Sequence, residues 1–123
     1  FTLKNFLRMQ GGEIFIPKIK SYKINDILNF FAKKNNLKVN TIGIREGEKI
    51  HEVLISDEES KYTINFNDFY LIRPAVLLSQ KKNYLISKLG EKGKRFKKNF
   101  LYSSKNASSL TNKDINYFLK ESE

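Results

Sequence analysis

The residues best suited to chemistry lie in Ile42-Gly43-Ile44-Arg45-Glu46-Gly47-Glu48-Lys49-Ile50-His51-Glu52. Arg45 and Glu48 stand close together across Gly47. A guanidinium can grip a pyrophosphate through two parallel hydrogen bonds. A carboxylate can accept from both hydroxyls of a ribose. Gly47 permits a tight turn or a close backbone approach to a ligand. The same residues also suit a surface Arg–Glu pair followed by an acidic first turn of a helix, where the macrodipole favours carboxylates. The R-x-G-E string alone does not choose between these readings. Histidine is a common acid–base side chain, but His51 has no second catalytic group nearby in sequence, which favours a structural histidine.

These residues need elements to position them. Leu3, Phe6 and Leu7 share one helical face over residues 1–10, and Gly11-Gly12 ends that helix. The chain starts inside this helix without an initiator Met, so it reads as the tail of something larger. Glu13–Ile19 reads as a strand that Pro17 confines to an edge or terminates. Ser21 is the expected N-cap of a helix carrying Ile24, Ile27, Leu28 and Phe31. Lys38–Ile44 reads as a second strand, and strand–helix–strand order predicts a crossover with parallel pairing. Arg45 would then lie beyond the strand's C-terminal end, where open α/β sheets bind ligands.

Glu48–Ile55 is expected as a short helix anchored by Ile50, Val53 and Leu54. Ser56-Asp57-Glu58-Glu59 reads as its charged end or a loop. Tyr62–Phe66 and Phe69–Arg73 form a hairpin candidate around Asn67-Asp68, closed by Pro74. Leu77–Phe100 is polar and lysine-rich, with a helix expected at Tyr84–Leu89 before Gly90 and Gly93. Thr111-Asn112-Lys113-Asp114 resembles a capping box opening a last helix with Ile115, Phe118 and Leu119.

Composition narrows the partners. The chain has 123 residues, room for one modest domain, and no cysteine, so disulfides and thiolate metal sites are excluded. The lone His51 cannot form a histidine cluster. No apolar run approaches the roughly 20 residues of a membrane span. The net charge of +10 rests on 23 basic residues, of which only Arg8, Arg45, Arg73 and Arg95 are arginine. Lys, Asn and Ile abound together, as A/T-rich codons dictate, so the charge reflects coding bias as readily as a nucleic-acid ligand. The basic cluster of Lys88–Lys98 reads as a solvated face by default.

The stretch containing Arg45 resembles the I-G-I-R-P-G-E-K-L-H-E signature of inverting UDP-N-acetylglucosamine 4,6-dehydratases, extended short-chain dehydrogenase/reductase enzymes of pseudaminic acid synthesis. Phe1-Thr2-Leu3-Lys4 through Met9 to Ile19, Val53 to Glu58, Asp68 to Pro74 and Tyr102-Ser103-Ser104 continue the likeness in order. Glu46 stands where the family has Pro, and Asn106 to Leu110 is only loosely similar.

The resemblance implies an α/β fold: the C-terminal, substrate-side fragment of a Rossmann-type enzyme, with a small β-hairpin and a C-terminal helix. It spans residues 1–123, with 77–123 as a peripheral extension. The resemblance implies Arg45 and Glu48 as substrate-binding residues for a UDP-sugar. It also implies a cytoplasmic enzyme that forms homo-oligomers when intact and engages neither nucleic acid nor membrane. The intact enzyme would use NADP to oxidise C4, eliminate water across C5 and C6, return hydride to C6 and invert C5. The family's glycine-rich cofactor loop and catalytic Tyr-x-x-x-Lys pair lie in an N-terminal half that has no counterpart here. Tyr84 and Lys88 match that spacing by chance. No catalytic residue, metal or bound cofactor is therefore expected, and the chain alone should be inactive and prone to associate through exposed apolar surface. The competing readings are a capsule-type UDP-sugar dehydratase/5-epimerase, a retaining dehydratase, and a non-catalytic polyanion-binding module.

Overall fold

The computed structural model describes residues 1–75, 82–111, 113–115 and 117. In chain order the elements are α1 (Thr2–Phe6), β1 (Ile14–Pro17), α2 (Ile24–Lys34), β2 (Val53–Ile55), α3 (Asp57–Ser60), β3 (Thr63–Asn65), β4 (Phe69–Ile72), β5 (Lys94–Arg95) and β6 (Tyr102–Ser103). The chain divides into two compact units, Phe1–Lys18 with Val53–Ser103, and Ile19–Glu52 with Ser104–Glu123. The architecture mixes helix and sheet.

The first unit is built on a four-stranded antiparallel sheet in the order β1-β4-β3-β5. The expected hairpin forms: β3 and β4 pair with Ile64 opposite Leu71, and the Phe66 N–H donates to the Phe69 carbonyl across the Asn67-Asp68 turn. Side chains alternate along β4. Phe69 and Leu71 point into a core with Ile64, Phe66 and Tyr84, backed by Phe15 and Leu85. Tyr70, on the other face, meets the rings of Phe96, Phe100 and Tyr102 at 5.0–6.0 Å. β1 sits at an edge and ends at Pro17, the position a residue without an N–H tolerates.

Helix α1 stops at Phe6, short of the expected residues 1–10; it turns Asn5 inward, Arg8 just beyond it is buried as well, and Leu3, Phe6 and Leu7 are exposed. The Arg8 guanidinium is forked onto Glu91, at 2.6 Å from Nε and 2.5 Å from Nη2, and its Nη1 donates to Asn5. It also lies 4.7 Å over the Phe69 ring. This buried arginine ties the N-terminal helix to a loop 83 residues away. Gly93, in the same loop region, packs directly onto the core: a Cβ there would fall 2.5 Å from Ile64 Cγ2 and 2.8 Å from two ring carbons of Phe66.

The second unit carries α2, whose apolar stripe at Ile24, Leu28 and Phe31 remains exposed. Its N-cap is Lys23, not Ser21. Ser21 instead exchanges backbone hydrogen bonds with Ser108 and Leu110, forming a short parallel bridge opposite Ser109, and so cannot cap the helix. Thr111 and Asp114 complete the expected capping box, each side chain accepting from the other's backbone N–H. Phe118 and Leu119 lie outside the described residues.

Several expected elements are corrected. Residues 38–44 form no strand; Val39, Ile42 and Ile44 are exposed and no described strand pairs with them. The parallel crossover is absent because β1 pairs antiparallel with β4 instead. The helix over 48–55 is replaced by an irregular segment and then β2, which pairs antiparallel with β6 and buries Ile55 completely. Ser56 starts a helix rather than ending one: its hydroxyl accepts from the Glu59 N–H while the Glu59 carboxylate accepts from the Ser56 N–H. Residues 84–89 are turns, with Ile86 bridged to Lys92 and Gly90 at φ +81°. There Tyr84 and Ser87 point inward, a spacing that serves a turn as well as a helix.

Candidate functional site

Arg45 and Glu48 occupy a reverse turn in the second unit. The Glu48 N–H donates to the Arg45 carbonyl at 3.1 Å. Gly47 sits at φ +82°, which marks the third position of a type II turn and suits glycine. The Glu48 carboxylate then reaches back, and Oε2 accepts from the Arg45 N–H at 2.9 Å. Glu48 thus closes the turn twice, once through its backbone and once through its side chain. The expected strand before Arg45 and helix after Gly47 are both absent, so this double closure is what sets the pair's spacing.

The two side chains do not form an ion pair with each other. The Arg45 guanidinium has no hydrogen-bond or ion-pair partner among the described residues, and both residues are exposed. One carboxylate oxygen of Glu48 serves the turn and the other is uncommitted. The arrangement offers a planar five-donor fork and a carboxylate acceptor on one reverse turn.

From the turn the chain runs directly into a groove of about 640 Å³. Lys49, Ile50 and His51 form one side, and Tyr22, Lys23, Ser104 and Lys105 contribute to the rest. Three lysines against the single carboxylate of Asp26 make this lining basic. His51 Nδ1 lies 3.3 Å from Ser104 Oγ, which also accepts from the Glu52 N–H at 3.1 Å. The Ser104 N–H donates to the Glu52 carbonyl at 2.8 Å. Ser104 therefore clips the His51-Glu52 backbone in place and orients the imidazole. Sequence reasoning named Ser104 only within a resemblance and missed Lys23 and Lys105, because the groove is assembled from segments about 80 residues apart.

Among the described residues, no group of three His, Cys, Asp or Glu side chains could hold a metal ion, and no helix is long and apolar enough to cross a membrane.

Comparison with known proteins places this geometry in context. The family described as polysaccharide biosynthesis protein matches residues 1–74, a span that includes the Arg45–Glu48 turn. Two proteins from Campylobacter jejuni subsp. jejuni strains, each named UDP-N-acetylglucosamine 4,6-dehydratase (inverting), are 49% and 50% identical over 107 residues. That alignment covers 86% of this chain and 31% of each relative, so the chain spans about a third of their length. A Methanocaldococcus jannaschii protein, named only as an uncharacterized membrane protein, is 30% identical over 98% of this chain and 34% of its own. Among solved structures, Pen from Bacillus thuringiensis superposes with a TM-score of 0.70 at 26% identity, over 98% of this chain and 34% of that one. With more than half its length matched by the family and the turn inside the match, the chain belongs to the polysaccharide biosynthesis protein family.

Proposed function

We propose that this chain is the substrate-side third of an inverting UDP-N-acetylglucosamine 4,6-dehydratase, in which the Arg45–Glu48 turn holds the UDP part of the substrate. The observation that carries the reading is the half-identity, over 107 residues, to relatives named for that activity. The intact enzyme would dehydrate its UDP-sugar across C5 and C6 with inversion at C5, giving a UDP 4-keto-6-deoxy sugar. The relatives favour neither a capsule-type sibling nor a basic polyanion-binding module.

In this reading the Arg45 fork grips the pyrophosphate and the free oxygen of Glu48 accepts from a ribose hydroxyl. The lysine-lined groove adds a positive field along the phosphates. Because Glu48 closes the turn that carries Arg45, the ribose contact and the phosphate contact are fixed in one unit.

NADP does not fit the residues present. Gly11 and Gly12 lead into an antiparallel edge strand, and Gly47 closes a reverse turn. Neither provides the strand–glycine loop–helix setting that cradles a dinucleotide's pyrophosphate. We assign the cofactor and the catalytic groups to the part of the enzyme outside this chain. The same reading takes the fold as the substrate side of an extended short-chain dehydrogenase/reductase, cytoplasmic and homo-oligomeric when intact.

The test uses the intact enzyme and calorimetry with UDP. Arg45→Lys and Arg45→Ala should weaken UDP binding by about ten- to a hundredfold, the loss of a charge-assisted hydrogen bond. Glu48→Gln should cost less in affinity, since an amide oxygen still accepts. NADP affinity should not change. Wild-type UDP affinity in both Arg45 variants would overturn the assignment.

A further inference from the structure

Two of the chain's four arginines converge away from the Arg45–Glu48 turn. Arg73 and Arg95, with Lys82 and Asn83, line a pocket of about 160 Å³ in the first unit, floored by Ile64 and walled by Tyr84 and Leu85. The sheet enforces this meeting. Arg73 directly follows β4, and its N–H donates to the Tyr62 carbonyl. Arg95 sits on β5 opposite Ile64, the residue of β3 that forms the floor. The Arg73 guanidinium is steadied over the Tyr62 ring at 5.1 Å. Lys82 is held by one bond, Nζ to the Gln10 carbonyl at 2.6 Å, and keeps two donors. Asn83 Oδ1 accepts from the Leu85 N–H, which leaves its amide N–H groups free.

The polar lining is therefore made of donors, and among the described residues its cations lack counter-charges. Among the described residues no carboxylate pairs with Arg73, Lys82 or Arg95. The sequence of residues 76–81, VLLSQK, contains no acid. The charge of Glu13 reaches Tyr84, whose hydroxyl is pushed up chiefly by burial and secondarily by that carboxylate. Glu13 itself is buried, accepts from the Gln10 N–H and joins none of the three cations.

Coding bias explains abundant lysine, but not two of four arginines in one small pocket. Arginine is the residue whose planar fork matches a tetrahedral or planar oxyanion, and lysine is not an equivalent substitute. A volume of about 160 Å³ leaves room for one phosphate group. We infer that the Arg73–Arg95–Lys82 pocket is a binding site for a phosphate-class oxyanion, separate from the Arg45–Glu48 turn. Its ligand is either a free oxyanion or the phosphoryl end of a larger molecule whose remainder stays in solvent.

The test uses the intact enzyme at constant ionic strength, with NADP and UDP saturating so that the cofactor site and the Arg45–Glu48 turn are filled, inorganic phosphate as probe and uridine monophosphate as a second arm. Wild type should bind phosphate saturably at one site. Arg73→Gln with Arg95→Gln should weaken binding at least about tenfold, because two charge-assisted forks are lost. Arg73→Lys with Arg95→Lys should also weaken it, since point charges replace forks, while Arg45→Ala should retain it. Equal phosphate and monophosphate affinities point to a phosphoryl end, and weaker monophosphate binding to a free oxyanion; either supports the site. A measurement independent of variant folding is phenylglyoxal modification read by mass spectrometry on the Arg45→Ala enzyme. Phosphate should slow labelling of Arg73 and Arg95. Unprotected arginines, non-saturable phosphate binding, or full affinity in the double-lysine variant would overturn the inference. Loss of phosphate binding in Arg45→Ala alone would also overturn it, by placing the anion at the other turn.

Discussion

Replacing Gly93 by alanine adds a single methyl to the tightest backbone approach in the first unit. Its Cβ would lie 2.5 Å from Ile64 Cγ2 and 2.8 Å from Phe66 Cε2 and Cζ, against an ordinary carbon–carbon separation of about 3.5–4.0 Å. The struck atoms cannot swing aside, because Ile64 and Phe66 are 2% and 3% exposed and Phe66 is stacked on Phe69 at 4.6 Å. Overpacking of this kind costs about 1–3 kcal/mol. Lower unfolded-state entropy offsets about 0.4–1 kcal/mol of that. The net expectation is a loss of about 1–2 kcal/mol, a drop of roughly 1 M in urea midpoint by far-UV circular dichroism at the slopes usual for small domains. Ile64→Ala removes the main obstacle, so the pair should couple: the double variant should lose less than the two single losses together, by at least about 0.5 kcal/mol. An unchanged or raised midpoint in Gly93→Ala, or strict additivity with Ile64→Ala, would refute the packing argument.

Glu91→Gln should destabilise the chain by about 1–2 kcal/mol at neutral pH, the loss of a charge-assisted pair discounted for the carboxylate's partial exposure. Arg8 holds Glu91 below the usual carboxylate range, so its contribution is complete above that range and fades as pH falls through the depressed value. Wild type should therefore lose stability in acid over a limb that Glu91→Gln lacks, measured by denaturation at several pH values. Ser56→Ala removes one half of the α3 capping box and should cost about 1 kcal/mol, read as a lowered midpoint. Asp114 accepts from the Thr111 N–H, the Thr111 hydroxyl and Lys20, which lower its carboxyl pKa to about 2. Its carboxyl carbon should titrate near that value by NMR, so the Thr111 cap should survive mild acid and loosen only as pH approaches 2; a midpoint near the ordinary aspartate value would count against the capping geometry.

What could be read beforehand was local. The β3–β4 hairpin, the end of β1 at Pro17 and the Thr111–Asp114 cap each depend on residues within a few positions of one another, and the sequence pattern conveys them, whereas the first helix stops at Phe6, well before the Gly11-Gly12 pair expected to end it. The misreadings concern partners. Val39, Ile42 and Ile44 have strand-like side chains, but a strand also needs a neighbour, and the neighbour of β1 is β4. Ile50, Val53 and Leu54 fit helical spacing as well as a short β-branched run, and pairing with Tyr102-Ser103 settled the choice. Within the candidate site, Arg45, Gly47 and Glu48 are conspicuous as a motif, yet their sequence setting reads as a strand-to-helix junction and the structure joins them in a reverse turn. The Arg8–Glu91 fork and the Arg73–Arg95 pocket left no trace in local pattern, because each joins residues that only the folded sheet brings together.

The edge position of β1 also sets a schedule. Ile14–Pro17 leaves the ribosome before Phe69–Ile72, its one sheet partner among the described residues, exists. With about 50 residues still to be added at roughly 5–20 residues per second, that strand waits several seconds with its hydrogen-bonding edge open. Neither its flanking helix, whose Arg8 needs Glu91, nor Ser21, whose bonds run to Ser108 and Leu110, can be locked sooner. The segment around β1 therefore depends on residues made much later, from Phe69 to Leu110, to hold it in place. Slow translation between β1 and β4 would lengthen the interval in which another nascent copy could capture the exposed strand.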